Sequence, residues 1–445
     1  MGKHQNQGTR IPVECDGIQV NFCKNPVCSN FGRPASEARQ PLGAQKEVRE
    51  DTYIVSGPKR GLFIKCLRCN DTPPVKSNLA IREEAERLSE YLLHQTEPTC
   101  PSDSCDNRIV GISTPKAYYS FGKTKAGSQR YRCRLCNTTF AISERSTLRQ
   151  RLPEANAVVF KLLINKVAMK RMCEVANINI GTLYRKIDFI HKRCLEFAAS
   201  YERKLPRMDI PRLYLSVDRQ EYMINWGNAG DKRNTVLMAL GTADNKTSYV
   251  FGIHVNYDAS LDVDQVEADA KRLEDTLLRP PFRRYARVWL KEDYQDALNR
   301  SQERKSKKKR LRDSIEDSYA ETINREDVED PDVQTTETSL PGKGMLVHSD
   351  YTLYGHFFFL KELLSGVEKI RFYMDQESGI RAACLSAFWV DVLQKRCDAF
   401  YVRIRKDMTI NQKRRLKAAS IRDLLISGHQ AELMKMLLIS SCVTL

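Results

Sequence analysis

The runs TCPSDSCDN (residues 99–107) and CRLCNTTF (133–140) frame a polar excursion that carries Tyr118, Tyr119, Lys123, Lys125, Gln129, Arg130, Tyr131 and Arg132. The first holds Cys100 and Cys105 in Cys-x4-Cys spacing, and the second holds Cys133 and Cys136 in Cys-x2-Cys spacing. Two close thiol pairs joined by a short hairpin are what a tetrahedral four-thiolate zinc site requires. So small and polar a unit has no apolar core of its own, and bound metal takes that place. Gly127 falls where the hairpin turns.

The same spacing recurs upstream. NFCKNPVCSNFG (21–32) sets four residues between Cys23 and Cys28, and GLFIKCLRCN (61–70) sets two between Cys66 and Cys69. Repetition of a ligand spacing predicts tandem zinc ribbons, the first with a longer excursion and with Cys15 as a rival for Cys23. Within 445 residues, 72 Lys and Arg against 56 Asp and Glu leave a formal charge of +16, which points to a polyanion, with double-stranded DNA the leading partner. Eight of 14 cysteines lie in the paired clusters, which fits metal ligation in a reducing, cytoplasmic setting better than disulfides. MGKHQNQGTRIPVE lacks the apolar centre of a secretory signal, and the C-terminal apolar run is broken by His429, Glu432 and Lys435, so no membrane partner is expected.

Between the ribbons, 76–96 reads as a spacer helix with Ser77 as its N-cap. Downstream, residues 150–203 read as three helices. The first runs from about Glu154 to Val167, the second is AMKRMCEVA, a turn occupies Asn177 to Ile180, and the third begins near Gly181. A short helix, a tight turn and a longer basic helix form a helix-turn-helix pattern, whose last helix lays its first residues in the major groove. Thr182, Tyr184, Arg185 and Lys186 would face DNA there, together with Lys123, Lys125, Arg130 and Arg132 of the second ribbon, while Leu183, Ile187 and Ile190 pack inward.

GKTKAGSQRYRCRLCNTTF followed by these helices resembles the N-terminal region of bacterial insertion-sequence DDE transposases, over residues 97 to 200. The resemblance implies recognition of element ends, as a homo-oligomer on DNA, ahead of a ribonuclease-H-like catalytic domain. From Pro211 the pattern turns to strands: LYLSVDRQEYMINW with Asp218, RNTVLMALGTADN, and TSYVFGIHVNYD, then a helix. The fold class expected is therefore multidomain α+β. Zinc ribbon 1 and an arm cover 1–75, the spacer 76–96, zinc ribbon 2 97–145, the helix-turn-helix 150–203, and the ribonuclease-H-like domain 211–445 with a charged disordered insertion at 283–342.

In the resembled family a carboxylate on the first strand binds a divalent ion, here Asp218. Asp375, after the apolar strand IRFYM, is read as the second ligand, with Asp350 as its rival. Hard carboxylate oxygens suit catalytic Mg²⁺ and the thiolates suit two structural Zn²⁺. The third acid is Glu432, or Glu377 if Asp350 is the second. The function expected is metal-dependent DNA cleavage and strand transfer. The alternative is a catalytically incomplete, zinc-dependent DNA-binding regulator of transposition, a truncated copy of such an enzyme.

Overall fold

The computed structural model describes residues 8–38, 51–57, 61–93, 98–125, 127–142, 147, 150–226, 231–308, 338–375, 378–402, 412, 414–415 and 418–419. Glu377, Glu432 and the charged run 309–337 lie outside the described residues. The chain divides into two compact units, one joining Met1–Leu88 with Met208–Leu445 and the other comprising Ser89–Arg207.

The N-terminal ribbon pairs β1 (Tyr53–Ser56) antiparallel with β2 (Phe63–Cys66). Its small core gathers Ile11, Cys23, Ala35, Tyr53, Leu62, Ile64, Cys66 and Val75. Helix α1 (Asn78–Ser89) follows, its start capped by Ser77, whose Oγ accepts from the Ala80 amide at 3.3 Å.

In the second unit, β3 (Tyr118–Lys123), β4 (Gln129–Cys133) and β5 (Thr139–Ala141) form an antiparallel three-stranded sheet. Three helices come next: α2 (Ala155–Ile164), α3 (Met169–Ala176) and α4 (Ile180–Glu202). Asn177 ends α3 in the left-handed conformation at φ 49°, a conformation asparagine tolerates. Asn179 then caps α4, its Oδ1 accepting from the Thr182 amide at 2.8 Å. Val159, Met172 and Leu183 make the core of this cluster, with Ile187 and Ile190 packed against it as their spacing predicts.

From Ile210 the chain returns to the first unit. It contributes β6 (Ile210–Ile224), β7 (Thr235–Asp244), β8 (Val250–Val255), β9 (Tyr257–Asp258), α5 (Val263–Arg272) and α6 (Lys291–Lys308). Then come β10 (Met345–Leu346), α7 (Ser349–Leu363), β11 (Val367–Asp375), α8 (Ser378–Ala387), α9 (Trp389–Leu393) and β12 (Cys397–Val402). The main sheet has the order β12-β11-β6-β7-β8. β6, β7 and β8 run antiparallel in sequence, whereas β11 lies parallel to β6 and β12 parallel to β11. Period-two alternation buries Leu213, Leu215 and Val217 with Ile370, Phe372 and Met374 on one face. Helix α7 packs on that face through Phe357, whose ring lies 5.6 Å from that of Phe372.

Two expectations about this unit are corrected. The stretch 283–342 is not disordered from its start, because Ala286, Val288, Trp289 and Leu290 are buried and α6 follows. Tyr294 and Leu298, four residues apart on α6, form one helical face that meets Leu237 and Leu346. The acidic and basic residues around them hide this short apolar stripe.

The second correction concerns α1, which is not a spacer. It buries Ile81, Glu84, Ala85 and Leu88. The Glu84 carboxylate pairs with Arg87 at 2.6 Å and Arg287 at 2.7 Å and accepts from Thr352 at 2.9 Å. Arg287 also pairs with Asp258 at 2.8 Å. A buried carboxylate matched in this way is tolerated, and its two guanidiniums hold its pKa low against the cost of burial. The N-terminal ribbon packs into the same unit. Phe22 meets Trp389 edge-on at 6.2 Å, and a Cβ on Gly32 would stand 2.2 Å from the Trp389 ring.

Between strands β7 and β8 and helix α7 runs a polar chain in which Thr242 and His356 are buried and His254 partly so. Thr242 Oγ1 and His356 Nε2 are 2.7 Å apart, as are His356 Nδ1 and His254 Nδ1. Burial pushes His254 down to about 4 and His356 well below the ordinary imidazole value. The unfolded chain takes up protons below about pH 6.5 that the folded chain refuses. Stability is therefore expected to be level above about pH 6.5 and to fall towards pH 4, by at most about 1.4 kcal/mol per pH unit for each histidine. Denaturant titrations at pH 7 and 5 check this, with a His254→Phe/His356→Leu variant expected to lose that slope while sharing every other titrating group.

Candidate metal centres and nucleic-acid interface

The eight paired cysteines assemble into two quartets, Cys23, Cys28, Cys66 and Cys69, and Cys100, Cys105, Cys133 and Cys136, the sulfurs of each within 4.8 Å of one another. Cys15 stands outside both, so Cys23 is the ligand. In the first, Cys23 and Cys69 sulfurs are 3.3 Å apart and Cys28 and Cys66 3.8 Å. The second repeats this at 3.3 Å for Cys100 and Cys136 and 3.7 Å for Cys105 and Cys133. Tetrahedral Zn–S bonds of about 2.3 Å require sulfurs about 3.8 Å apart, so both quartets have the size of a structural zinc site.

The likeness extends beyond the ligands. Asn30 Nδ2 donates to Cys66 Sγ at 3.2 Å, and Asn107 Nδ2 donates to Cys133 Sγ at 3.2 Å. Tyr53 donates to the Asn30 and Arg33 carbonyls and accepts from the Cys23 amide. Tyr118 does the same with Asn107, Val110 and Cys100. In each copy the third cysteine is held below the ordinary thiol range. Burial opposes this, but the Arg68 and Cys69 amides and Asn30 outweigh it at Cys66, and the Cys136 amide, Asn107 and the Leu135 amide do so at Cys133. Such donors orient the ligands and favour thiolate. Sequence reasoning missed these asparagines and tyrosines, although Cys-x4-Cys-x-Asn occurs in both copies.

Asp218 and Asp375 stand at corresponding positions on the neighbouring parallel strands β6 and β11. The register of β11 on β6 closes at Met374 opposite Val217, and the next residue on each strand is an aspartate. Parallel neighbours lie about 4.8 Å apart. Both carboxylates belong to the face opposite the buried Val217 and Met374, and both residues are exposed. Among the described residues, neither belongs to a group of three or more metal-type ligands. Asp350 lies elsewhere, in the first turn of α7, where Lys76 Nζ sits 2.5 Å from its Oδ2. Burial works against its charge, but the ammonium keeps its pKa below the ordinary value. An acid committed to such an ion pair makes a poor rival to Asp375.

Of the side chains expected to face DNA, Lys123 and Lys125 are exposed at the hairpin, and Arg130 and Arg132 are partly exposed on β4. Tyr184 and Arg185 are exposed on the first turns of α4, and Thr182 is partly so. Lys186 is a correction. It is buried, and its Nζ donates to Gln150 Oε1 at 3.3 Å and to the carbonyls of Arg151 at 3.1 Å and Leu152 at 2.8 Å. Lys186 follows Leu183 by three residues and so shares its inward face. Burial accordingly lowers its pKa.

No protein-family model matches the chain, and comparison with curated proteins gives no match. Among the described residues, no helix is long and apolar enough to cross a membrane.

Proposed function

We propose that the chain is a DDE-type transposase of an insertion element, binding element-end DNA through its zinc ribbon and helix-turn-helix and cleaving it with a ribonuclease-H-like domain. The observation that carries this reading is the pair Asp218 and Asp375 at the shared end of two parallel neighbouring strands. An antiparallel β6-β7-β8 meander extended by parallel β11 and β12 is similar to the ribonuclease-H-like arrangement. Asp218 and Asp375 would hold divalent cations such as Mg²⁺, which activate a hydroxyl and stabilise the leaving oxygen in phosphodiester cleavage. The third acid of the reading falls to Glu432.

Helices α2 to α4 with the Asn177–Asn179 turn supply the helix-turn-helix of the reading, and Thr182, Tyr184 and Arg185 would enter the major groove. The formal charge of +16 suits the phosphate backbone, and the enzyme acts as a homo-oligomer on its ends. Selecting bound sites from a random duplex library, then incubating them with protein and Mg²⁺ or Mn²⁺, tests both halves. Sequence-specific binding with cleavage is the expected result. Specific binding without cleavage replaces the enzyme by a DNA-binding regulator. Arg185→Ala is expected to weaken binding to the selected site by about 1–3 kcal/mol and to relax its preference. An unchanged site profile would remove Arg185 from base readout.

A further inference from the structure

Comparing the two ribbons separates what the metal scaffold needs from what it does not. In the second, the inward face carries Tyr118, Tyr131 and Phe140, whose rings pack together over the cysteines. The outward face carries two more aromatic residues that this core does not use, Tyr119 and Phe121, edge to face at 6.2 Å. The Arg130 and Arg132 guanidiniums lie 5.3 and 5.5 Å from the Phe121 ring centre, and Arg134 lies 5.3 Å from that of Tyr119. Phe121 is 39% exposed.

This face is held in shape before any ligand arrives. Arg132 Nε donates to the Asn137 carbonyl at 3.1 Å, and Gln129 Nε2 ties across the hairpin to Ser120 Oγ at 2.6 Å and the Gly122 carbonyl at 2.8 Å. The first ribbon aligns with the second by matching Tyr53 opposite Cys66 with Tyr118 opposite Cys133. Ile54, Ser56, Phe63, Lys65 and Leu67 then stand where the second has Tyr119, Phe121, Arg130, Arg132 and Arg134. One arginine-aromatic face has thus been built on one of two otherwise matching scaffolds. Ribbon stability does not account for it.

We infer that the outward face of the second ribbon is a stacking platform for unpaired DNA bases, with Phe121 and Tyr119 taking base faces and Arg130, Arg132 and Arg134 taking the strand's phosphates. Alternate residues on a strand stand about 6.8 Å apart on one face, a spacing comparable to that of phosphates along an extended single strand. An exposed ring favours the flat face of any base, so the contact tolerates sequence. Duplex DNA hides its base faces and offers this platform only phosphates. The inference rests on the chain being a DNA-binding protein, and it assigns this ribbon an opened or frayed strand while α4 takes the duplex.

The test uses the full-length, zinc-loaded chain and fluorescence polarisation with two probes, a single-stranded oligonucleotide and the duplex of the same sequence. Phe121→Ala is expected to weaken single-strand binding about tenfold, and Tyr119→Ala/Phe121→Ala further, with duplex affinity and zinc content unchanged. Arg185→Ala is expected to do the reverse. Failure of the parent to bind the single strand, or equal loss on both probes for Phe121→Ala, overturns the inference, as does no loss on either. These outcomes do not depend on cleavage, so an inert active site would fail the transposase reading and leave this one standing.

Discussion

On the proposed transposase reading, Asp218→Asn is expected to abolish metal-dependent DNA cleavage, by about a thousandfold or more, while leaving duplex affinity and thermal stability close to the parent's. Removing a carboxylate that holds a divalent ion forfeits several kcal/mol of transition-state stabilisation, and each 1.4 kcal/mol is about tenfold in rate. The side chain is exposed, so nothing buried is lost. Asp375→Asn is expected to match it, and the double variant to be no worse than either, because on that reading the two are ligands of one centre, and such ligands fail as a unit. Asp350→Asn provides the contrast. It removes the partner of Lys76 and should lower stability while cleavage persists. Single-turnover cleavage in Mg²⁺ and Mn²⁺ measures all four, and an Asp218→Asn protein that still cuts at the parental rate refutes the two-aspartate centre.

How much of this was legible in the sequence depends on whether the signal was local. Both cysteine quartets follow from the spacing of their pairs, save the choice between Cys15 and Cys23, which only the folded chain decides. The turn at Asn177 and the inward placement of Leu183, Ile187 and Ile190 likewise follow from local chemistry and a 3.6-residue period. The pairing of Asp218 with Asp375 is different in kind. Each aspartate was marked by its place on a strand, but their adjacency depends on β11 entering beside β6 after more than a hundred intervening residues. Lys186, a basic residue on a basic helix, reads as solvent-facing, whereas three backbone and amide oxygens meet it inside. Helix α1 reads as a spacer for a related reason. Glu84 and Arg87 look like a surface pair until Arg287 and Thr352, 203 and 268 residues beyond Glu84, enclose them. Charge in the sequence marks exposure only where no distant partner neutralises it.

Cys66→Ser is expected to damage far more than the ribbon that contains it. Cys66 is fully buried, and its sulfur is both a member of the first quartet and the acceptor of Asn30. Structural zinc binds such sites with about 10–16 kcal/mol of apparent free energy, most of which is folding energy for a unit this small. Phe22 and Phe31 pack on Leu385 and Trp389 of α8 and α9, so a collapsed ribbon strips cover from helices that flank the main sheet. The same loss frees the segment leading to α1, whose Glu84 would leave Arg287 and Asp258 a broken buried network, a change that costs about 3–5 kcal/mol. Denaturant unfolding followed by tryptophan fluorescence should therefore show the sheet-bearing unit destabilised by several kcal/mol or no longer folded. Cys133→Ser removes the equivalent sulfur of the other quartet, whose ligands all lie in Ser89–Arg207. It should lose its zinc equally and leave the tryptophan transition where it was, since Trp226, Trp289 and Trp389 all belong to the first unit. A tryptophan transition left unmoved by Cys66→Ser would mean that the N-terminal ribbon is not built into the sheet-bearing unit. A chelator titration on the parent gives the same comparison without mutation: the tryptophan signal should change as the first quartet, not the second, gives up its metal.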